Sequence, residues 1–146
     1  MTSKELVNII QGLINEIQSF APEWHRRAGN DMAANILRRV TMSGQNADGG
    51  SFSPYSSAYA NYRRKSGRTS NQKVFNFTGE LWRNFGVTRA DFNGFEIGGY
   101  NQYAADLFGW LSEKEGAQIN KPSETEIQAA KDFLKQRLKE TLNRYL

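Results

Sequence analysis

The sequence has no cysteine and a single histidine, His25, among its 146 residues. Disulfides, thiolate nucleophiles and cysteine-based zinc sites are therefore excluded together, and one histidine cannot build a histidine metal site. Proline is scarce, with three residues, so regular structure is seldom interrupted. No stretch approaches the roughly 20 apolar residues needed to cross a bilayer. The first twenty residues also lack the uninterrupted apolar centre and basic flank of a signal peptide, being broken by Glu5, Asn8, Gln11, Asn15 and Glu16. A soluble or assembled protein with no membrane contact, made in a cytoplasm, is the expectation.

What is present suits one globular domain over 1–146. Hydrophobic residues make up 38% and aromatics 12%, and a chain of this length can bury roughly two-thirds of its unfolded surface without staples. Its mean hydropathy of −0.68 indicates a very polar exterior. The formal charge of +4 permits contact with nucleic acid or an acidic protein face but selects neither.

Local patterns divide the chain. Thr2 and Glu5 have capping-box spacing, and Leu6, Ile9, Ile10, Leu13, Ile14 and Ile17 recur every three or four residues, which predicts an amphipathic helix over 3–20. A second helical pattern runs from Pro22 through Trp24, Ala28, Met32, Ile36, Leu37 and Val40 to Ser43-Gly44. The two pieces can equally be one long kinked rod, weakened in the middle by Gly29 and Asn30. Residues 44–73 contain no aliphatic side chain larger than Ala and read as a long, partly ordered loop, with Tyr55, Tyr59 and Tyr62 at helical spacing predicting a short helix over 55–65. Val74-Phe75-Asn76-Phe77 alternates as a strand does, and Thr78 is placed to cap a short helix through Leu81, Trp82 and Phe85. Asn93-Gly94 between VTRADF and FEIGG predicts a hairpin with a type I′ turn. Residues 102–111 read as a small helix or turn, and Ile119 as part of another short strand. Ser123 and Glu126 then open a terminal helix striped by Ile127, Ala130, Leu134, Leu138, Leu142 and Tyr145. The sum is an α+β fold: a small antiparallel sheet with a β-hairpin, packed by N-terminal and C-terminal amphipathic helices.

Candidate chemistry is sparse. His25 lies in Glu-Trp-His-Arg-Arg with no nucleophile motif beside it, so a surface or packed histidine explains it best. The carboxylate pairs Glu113/Glu115 and Glu124/Glu126 fall in polar sequence and read as solvated or capping groups. Gly98-Gly99 matches no phosphate-binding pattern. The unusual segment is 61–73, which holds Arg63, Arg64, Lys65, Arg68 and Lys73 with no acidic residue, next to Tyr55, Tyr59 and Tyr62. Such a set could dock on an acidic protein groove, or could neutralise phosphates while its tyrosines stack on bases. A solvated basic loop needs neither, and the protein groove is favoured over nucleic acid.

The order of motifs resembles the small virion-morphogenesis or tail-completion proteins of tailed bacteriophages. A helical start leads to Gly44, then Asp48-Gly49-Gly50-Ser51-Phe52, Pro54-Tyr55-Ser56, Tyr59-Ala60 and Lys65-Ser66-Gly67-Arg68. A Thr-Gly-x-Leu turn follows in Phe77-Thr78-Gly79-Glu80-Leu81, then a hairpin ending near Ile97-Gly98, a Tyr-Ala pair at Tyr103-Ala104, Gly109 and a closing helix. The likeness spans about 36–146. It departs from many relatives at Leu107-Phe108, where a His or Gln is common, and at Lys121-Pro122-Ser123, where an Arg-Pro or Pro-Arg element often stands.

The resemblance implies a structural, non-enzymatic virion protein acting in tail completion or head-tail joining. It implies a homo-oligomeric ring that contacts tail-tube and connector proteins, located in the tail or neck of the virion and in the host bacterial cytoplasm during assembly. Tyr55, Tyr59, Tyr62, Arg63, Arg64 and Arg68 are the expected partner contacts, because loop 44–73 combines aromatic anchors with a charged rim and no core residues. Thr78, Gly79 and Leu81 are assigned to the fold. No cofactor, metal or catalytic set is expected, and a nucleic-acid-binding module using residues 55–73 is the alternative.

Overall fold

The computed structural model describes residues 1–76 and 78–146. Helix α1 runs unbroken over Ser3–Ser43, so the two helical patterns form one rod of about 62 Å at 1.5 Å per residue. Its start is the expected capping box: Thr2 Oγ1 accepts from Glu5 N–H at 3.1 Å, and the Glu5 carboxylate accepts from Thr2 N–H at 2.6 Å. Pro22 lies inside the helix. It removes the amide that would bond the Gln18 carbonyl, and Gln18 is exposed, which leaves that carbonyl to water.

Only the second half of α1 enters the core. Met32, Ala33, Ile36 and Val40 pack with Phe52, Trp82, Phe85, Phe108 and Ile119, and Ile36 and Val40 have no exposed surface. Trp82, Phe85 and Phe108 form an aromatic trio with ring centroids 5.1–5.3 Å apart. Full burial of a side chain of this size contributes about 1.5–3 kcal/mol.

Strands β1 (Phe85–Asp91) and β2 (Gly94–Gly99) pair antiparallel from Phe85↔Gly99 to Asp91↔Gly94, with an irregularity between Val87 and Arg89. The hairpin is therefore where the sequence predicts it, but its turn lies one residue earlier. Phe92-Asn93 form the loop, and Asn93 does not have the positive φ of a type I′ turn. The Asp91 carboxylate takes over, accepting from Asn93 N–H at 2.9 Å and Gly94 N–H at 3.2 Å. The hairpin crosses α1 at Gly29, where a β-carbon would stand 2.7 Å from Val87 Cγ2 and 2.8 Å from Phe95 Cδ2. Gly29 is thus a packing requirement rather than a weak point. His25 packs there too, its Nδ1 donating to the Asp91 carbonyl at 2.6 Å.

Loop 44–73 differs from its expectation in carrying core. Phe52 is buried, meeting Phe75 edge-on with centroids 4.9 Å apart. Helix α2 (Ser57–Lys65) forms within it, starting two residues later than predicted at the Ser56 cap. Val74, Phe75 and Asn76 are not a strand; Phe77, the last residue of that expectation and the first of the Thr-Gly-x-Leu block, lies outside the described residues. Phe75 instead has φ of 51°, a left-handed conformation rare for a bulky side chain, held by Trp82 Nε1 donating to its carbonyl at 3.0 Å. Thr78 sits one position before the cap of the short helix α3 (Glu80–Arg83), which is Gly79, and accepts from Glu80 N–H at 3.3 Å.

Helix α4 (Gln102–Glu115) is longer than predicted. Ile119 is in a turn rather than a strand, yet fully buried. Helix α5 (Glu124–Tyr145) opens on the Ser123/Glu126 capping box and runs antiparallel along α1, from Arg39–Glu126 at one end to Glu16–Arg144 at the other. Arg39 ties three segments together, reaching Glu126 at 2.8 Å, Lys121 O at 2.8 Å and Gln45 O at 2.9 Å. The described residues form five helices and a two-stranded antiparallel sheet, with helices at both ends of the chain.

Candidate binding groove

Tyr55 and α2 form one wall of an open groove, α4 forms the other, and Phe75, Leu81 and Trp82 line it between them; its volume is about 740 Å³. The α2 wall is held in place by Arg63, which is only 2% exposed. Its Nε donates to the Thr69 carbonyl at 2.5 Å and its Nη2 to the Asn76 carbonyl at 2.7 Å. The guanidinium lies 4.7 Å from the Tyr55 ring centroid and 5.8 Å from that of Tyr59. Tyr55 meets Tyr59 edge-on at 5.2 Å, and its hydroxyl accepts from Val74 N–H at 3.2 Å. A cation at this position satisfies two loop carbonyls and stacks two tyrosines, so the basic run folds the loop as well as charging it.

At the far end Glu115 bolts the loop to α4. Its carboxylate accepts from Ser53 N–H at 2.6 Å, Ser53 Oγ at 2.9 Å and Lys73 Nζ at 2.9 Å. Burial pushes the Glu115 carboxyl up, but the bonds from Lys73 and Ser53 outweigh it and hold the group below the ordinary carboxylate range. Glu115 is therefore a tether, not the solvated group its sequence context suggests. Glu126 does more than cap, for the same reason: Arg39 and Ser123 outweigh its burial, and its pKa is also lowered.

Of the six expected contact residues, the structure brings Tyr55, Tyr59 and Arg63 together on the groove. Tyr62 stacks on Tyr59 at 6.1 Å and is exposed. Arg64 is exposed and donates to Asn61 Oδ1 at 2.7 Å, while Arg68 donates to the Ser66 carbonyl at 3.0 Å. Arg63 corrects the expectation of a charged rim: it faces inward because two carbonyls and two rings meet it there. Thr78, Gly79 and Leu81, assigned to the fold, also line the groove.

The expected set omits the α4 wall: Tyr103, Leu107, Trp110, Leu111 and Lys114. Tyr103 and Trp110 are exposed, Trp110 by 54%, and Lys114 Nζ lies 5.1 Å from its ring centroid. The signal was present in QYAADLFGWL. Ala104 and Phe108 supply the buried face, whereas Tyr103, Leu107 and Trp110 mark a second apolar stripe at helical spacing.

A mostly apolar, aromatic groove with a few tethered charges suits the capture of apolar side chains from a protein partner. Among the described residues, no group of three or more His, Cys, Asp or Glu is placed to hold a metal ion, and no helix is long and apolar enough to cross a membrane. Comparison with protein-family models, with curated proteins and with solved structures finds no match for this chain.

Proposed function

We propose that the chain is a structural, non-enzymatic virion protein of a tailed phage or prophage, acting in tail completion or head-tail joining by oligomerisation and partner binding. The observation that carries this reading is the ordered set of short motifs from Gly44 to Gly109. The groove supports it, because Tyr55, Tyr59, Thr78, Gly79, Leu81 and Tyr103 belong to those motifs and meet along one surface. Three of its charged groups, Arg63, Lys73 and Glu115, are engaged in holding the loop, which fits a surface made for docking rather than for chemistry.

The alternative, nucleic-acid binding through residues 55–73, is the weaker reading. Arg63 is spent on carbonyls and Lys73 on Glu115 and Ser53, so two of the five basic side chains serve the fold. The test is co-purification with the tail-tube and connector proteins encoded beside this chain's gene. Association that weakens at least tenfold in Trp110→Ala is expected. Absence of binding to either protein, or a gene neighbourhood with no portal, connector or tail-tube genes, overturns the reading. Salt-sensitive binding to DNA, lost on Arg64→Ala with Lys65→Ala, would favour the alternative.

A further inference from the structure

Among the described residues, an apolar groove and an apolar ridge stand uncovered, and they differ in shape. One is the groove. The other is a ridge on the first turns of α1, where Leu6, Val7, Ile10 and Ile14 are all exposed. Near its end α5 lies against Gly12 through the Tyr145 ring, and the hairpin meets α1 at His25 and Gly29. In the turns before Gly12 every aliphatic side chain except the half-buried Ile9 is exposed. Ordinary surface helices cover such a face with Lys and Glu, yet residues 6–15, LVNIIQGLIN, contain no charged side chain. Depletion of charge around exposed aliphatics is the composition of an interface centre.

We propose that the ridge of one copy seats in the groove of the next, in a head-to-tail contact between copies of this chain. Leu6, Ile10 and Ile14 follow one another at i, i+4 and i+8, the spacing with which an amphipathic helix lays one face into a groove. The groove has the volume for several aliphatic side chains and walls of Tyr55, Tyr59, Tyr103 and Trp110 to receive them. The neutral middle of the ridge brings no ion into the groove that must be desolvated. The ridge of a chain cannot fold back into its own groove, because α1 is one continuous helix anchored in the core from Ala28 onward. The contact joins unlike patches, so it repeats from copy to copy and either closes into a ring or extends as a filament.

The inference rests on the reading of the groove as a binding surface, and its test is separable from that of the tail-completion role. The full chain is sized by light scattering and sedimentation over a wide concentration range, together with Ile10→Lys, Trp110→Lys and their equimolar mixture. Both substituted side chains are exposed, so each variant should melt as the parent does in dilute solution. The parent is expected to assemble beyond a dimer and each variant alone to be monomeric. The mixture should form a 1:1 dimer and stop there, since it has one intact ridge and one intact groove per pair. A parent that stays monomeric at high concentration overturns the contact. So does a mixture that fails to pair, or a Trp110→Lys variant that assembles like the parent, which would mean ridge-to-ridge pairing. A monomeric parent that still binds tail-tube protein through its groove would sink this inference alone.

Discussion

Between Ala28 and Val40, α1 buries Ala28, Met32, Ala33, Ile36 and Val40, whereas between Leu6 and Ile14 no aliphatic side chain of the same helix is fully buried. Both stretches have helical apolar periodicity, and both open with good start signals. The difference lies in their surroundings. The hairpin crosses at Gly29 and the aromatic trio closes over Ile36, while α5 covers only one side of the first half and ends at Gly12. Apolar periodicity states that a face must be covered; it does not state by what. The polar residues carry that further information. Arg26, Arg27, Asp31, Arg38 and Arg39 surround the buried stripe of the second half, but Asn8, Gln11 and Asn15 take those places in the first.

The largest expected contrast comes from truncating one isoleucine in each half. Ile36→Ala removes a side chain with no exposed surface and should cost about 2–5 kcal/mol of unfolding free energy. Ile10→Ala, measured in dilute solution where copies are apart, should stay within about 0.5 kcal/mol. Urea unfolding of both variants decides this, and comparable losses would mean that the first half is packed within the monomer.

Ion pairs give the next contrast. Arg39 is 12% exposed, and its loss strands Glu126 beside the core, so Arg39→Ala should cost about 2 kcal/mol. Arg144→Ala, which breaks the solvent-facing pair with Glu16 on the first half, should leave the urea midpoint unchanged in moderate salt.

Much of this fold is legible in the sequence where the signal is local. Both capping boxes, the hairpin and the terminal helix follow from residues within a few positions of one another. The one-residue displacement of the turn arises because the Asp91 carboxylate outcompetes the Asn-Gly preference, a choice made by a side chain that reads as strand. The loop was harder. Its single large apolar residue before α2, Phe52, and its inward arginine, Arg63, are core-forming only because Phe75, Thr69 and Asn76 come from farther along to meet them. The α2 side of the groove was legible from its tyrosines, but the α4 side needed α4 to be seen as a helix with two apolar stripes.

One substitution should have opposite signs in the two halves. Gly29→Ala sets a methyl 2.7–2.8 Å from Val87 and Phe95 in a packed crossing, and should destabilise by about 1–2 kcal/mol despite alanine's better helix propensity. At Gly12 the nearest atom is Tyr145 Cε1 at 3.3 Å, a contact that a shift of a few tenths of an ångström relieves. Gly12→Ala should therefore gain about 0.5 kcal/mol from helix propensity. Thermal melts of the two variants moving in opposite directions would confirm the asymmetry, and a loss at Gly12 would show that Tyr145 is fixed there.

Acid titration should separate the halves by the smallest margin. The pKa values of Glu5 and Glu16 in the first half, and of Glu115 and Glu126 around the core, all lie below the ordinary 4.5. A depressed folded-state pKa means that the unfolded chain binds more protons, so each contribution is complete above about pH 4.5 and is lost as pH falls through the folded value. Glu5 owes its shift to Thr2, and Glu16 to Tyr145 and Arg144, all at the surface, where added salt weakens the charged part of the interaction. Glu126 owes its shift to Arg39 and Ser123 acting against burial, where salt reaches less well. Stability followed from pH 6 to pH 3 should thus fall in the parent at both low and high salt. Glu126→Gln should flatten that fall under both conditions, and Glu16→Gln should flatten it less, and less at high salt than at low. Equal flattening by the two variants would place Glu16 in surroundings as closed as those of Glu126, and the contrast between the two ends of α1 would have to be redrawn.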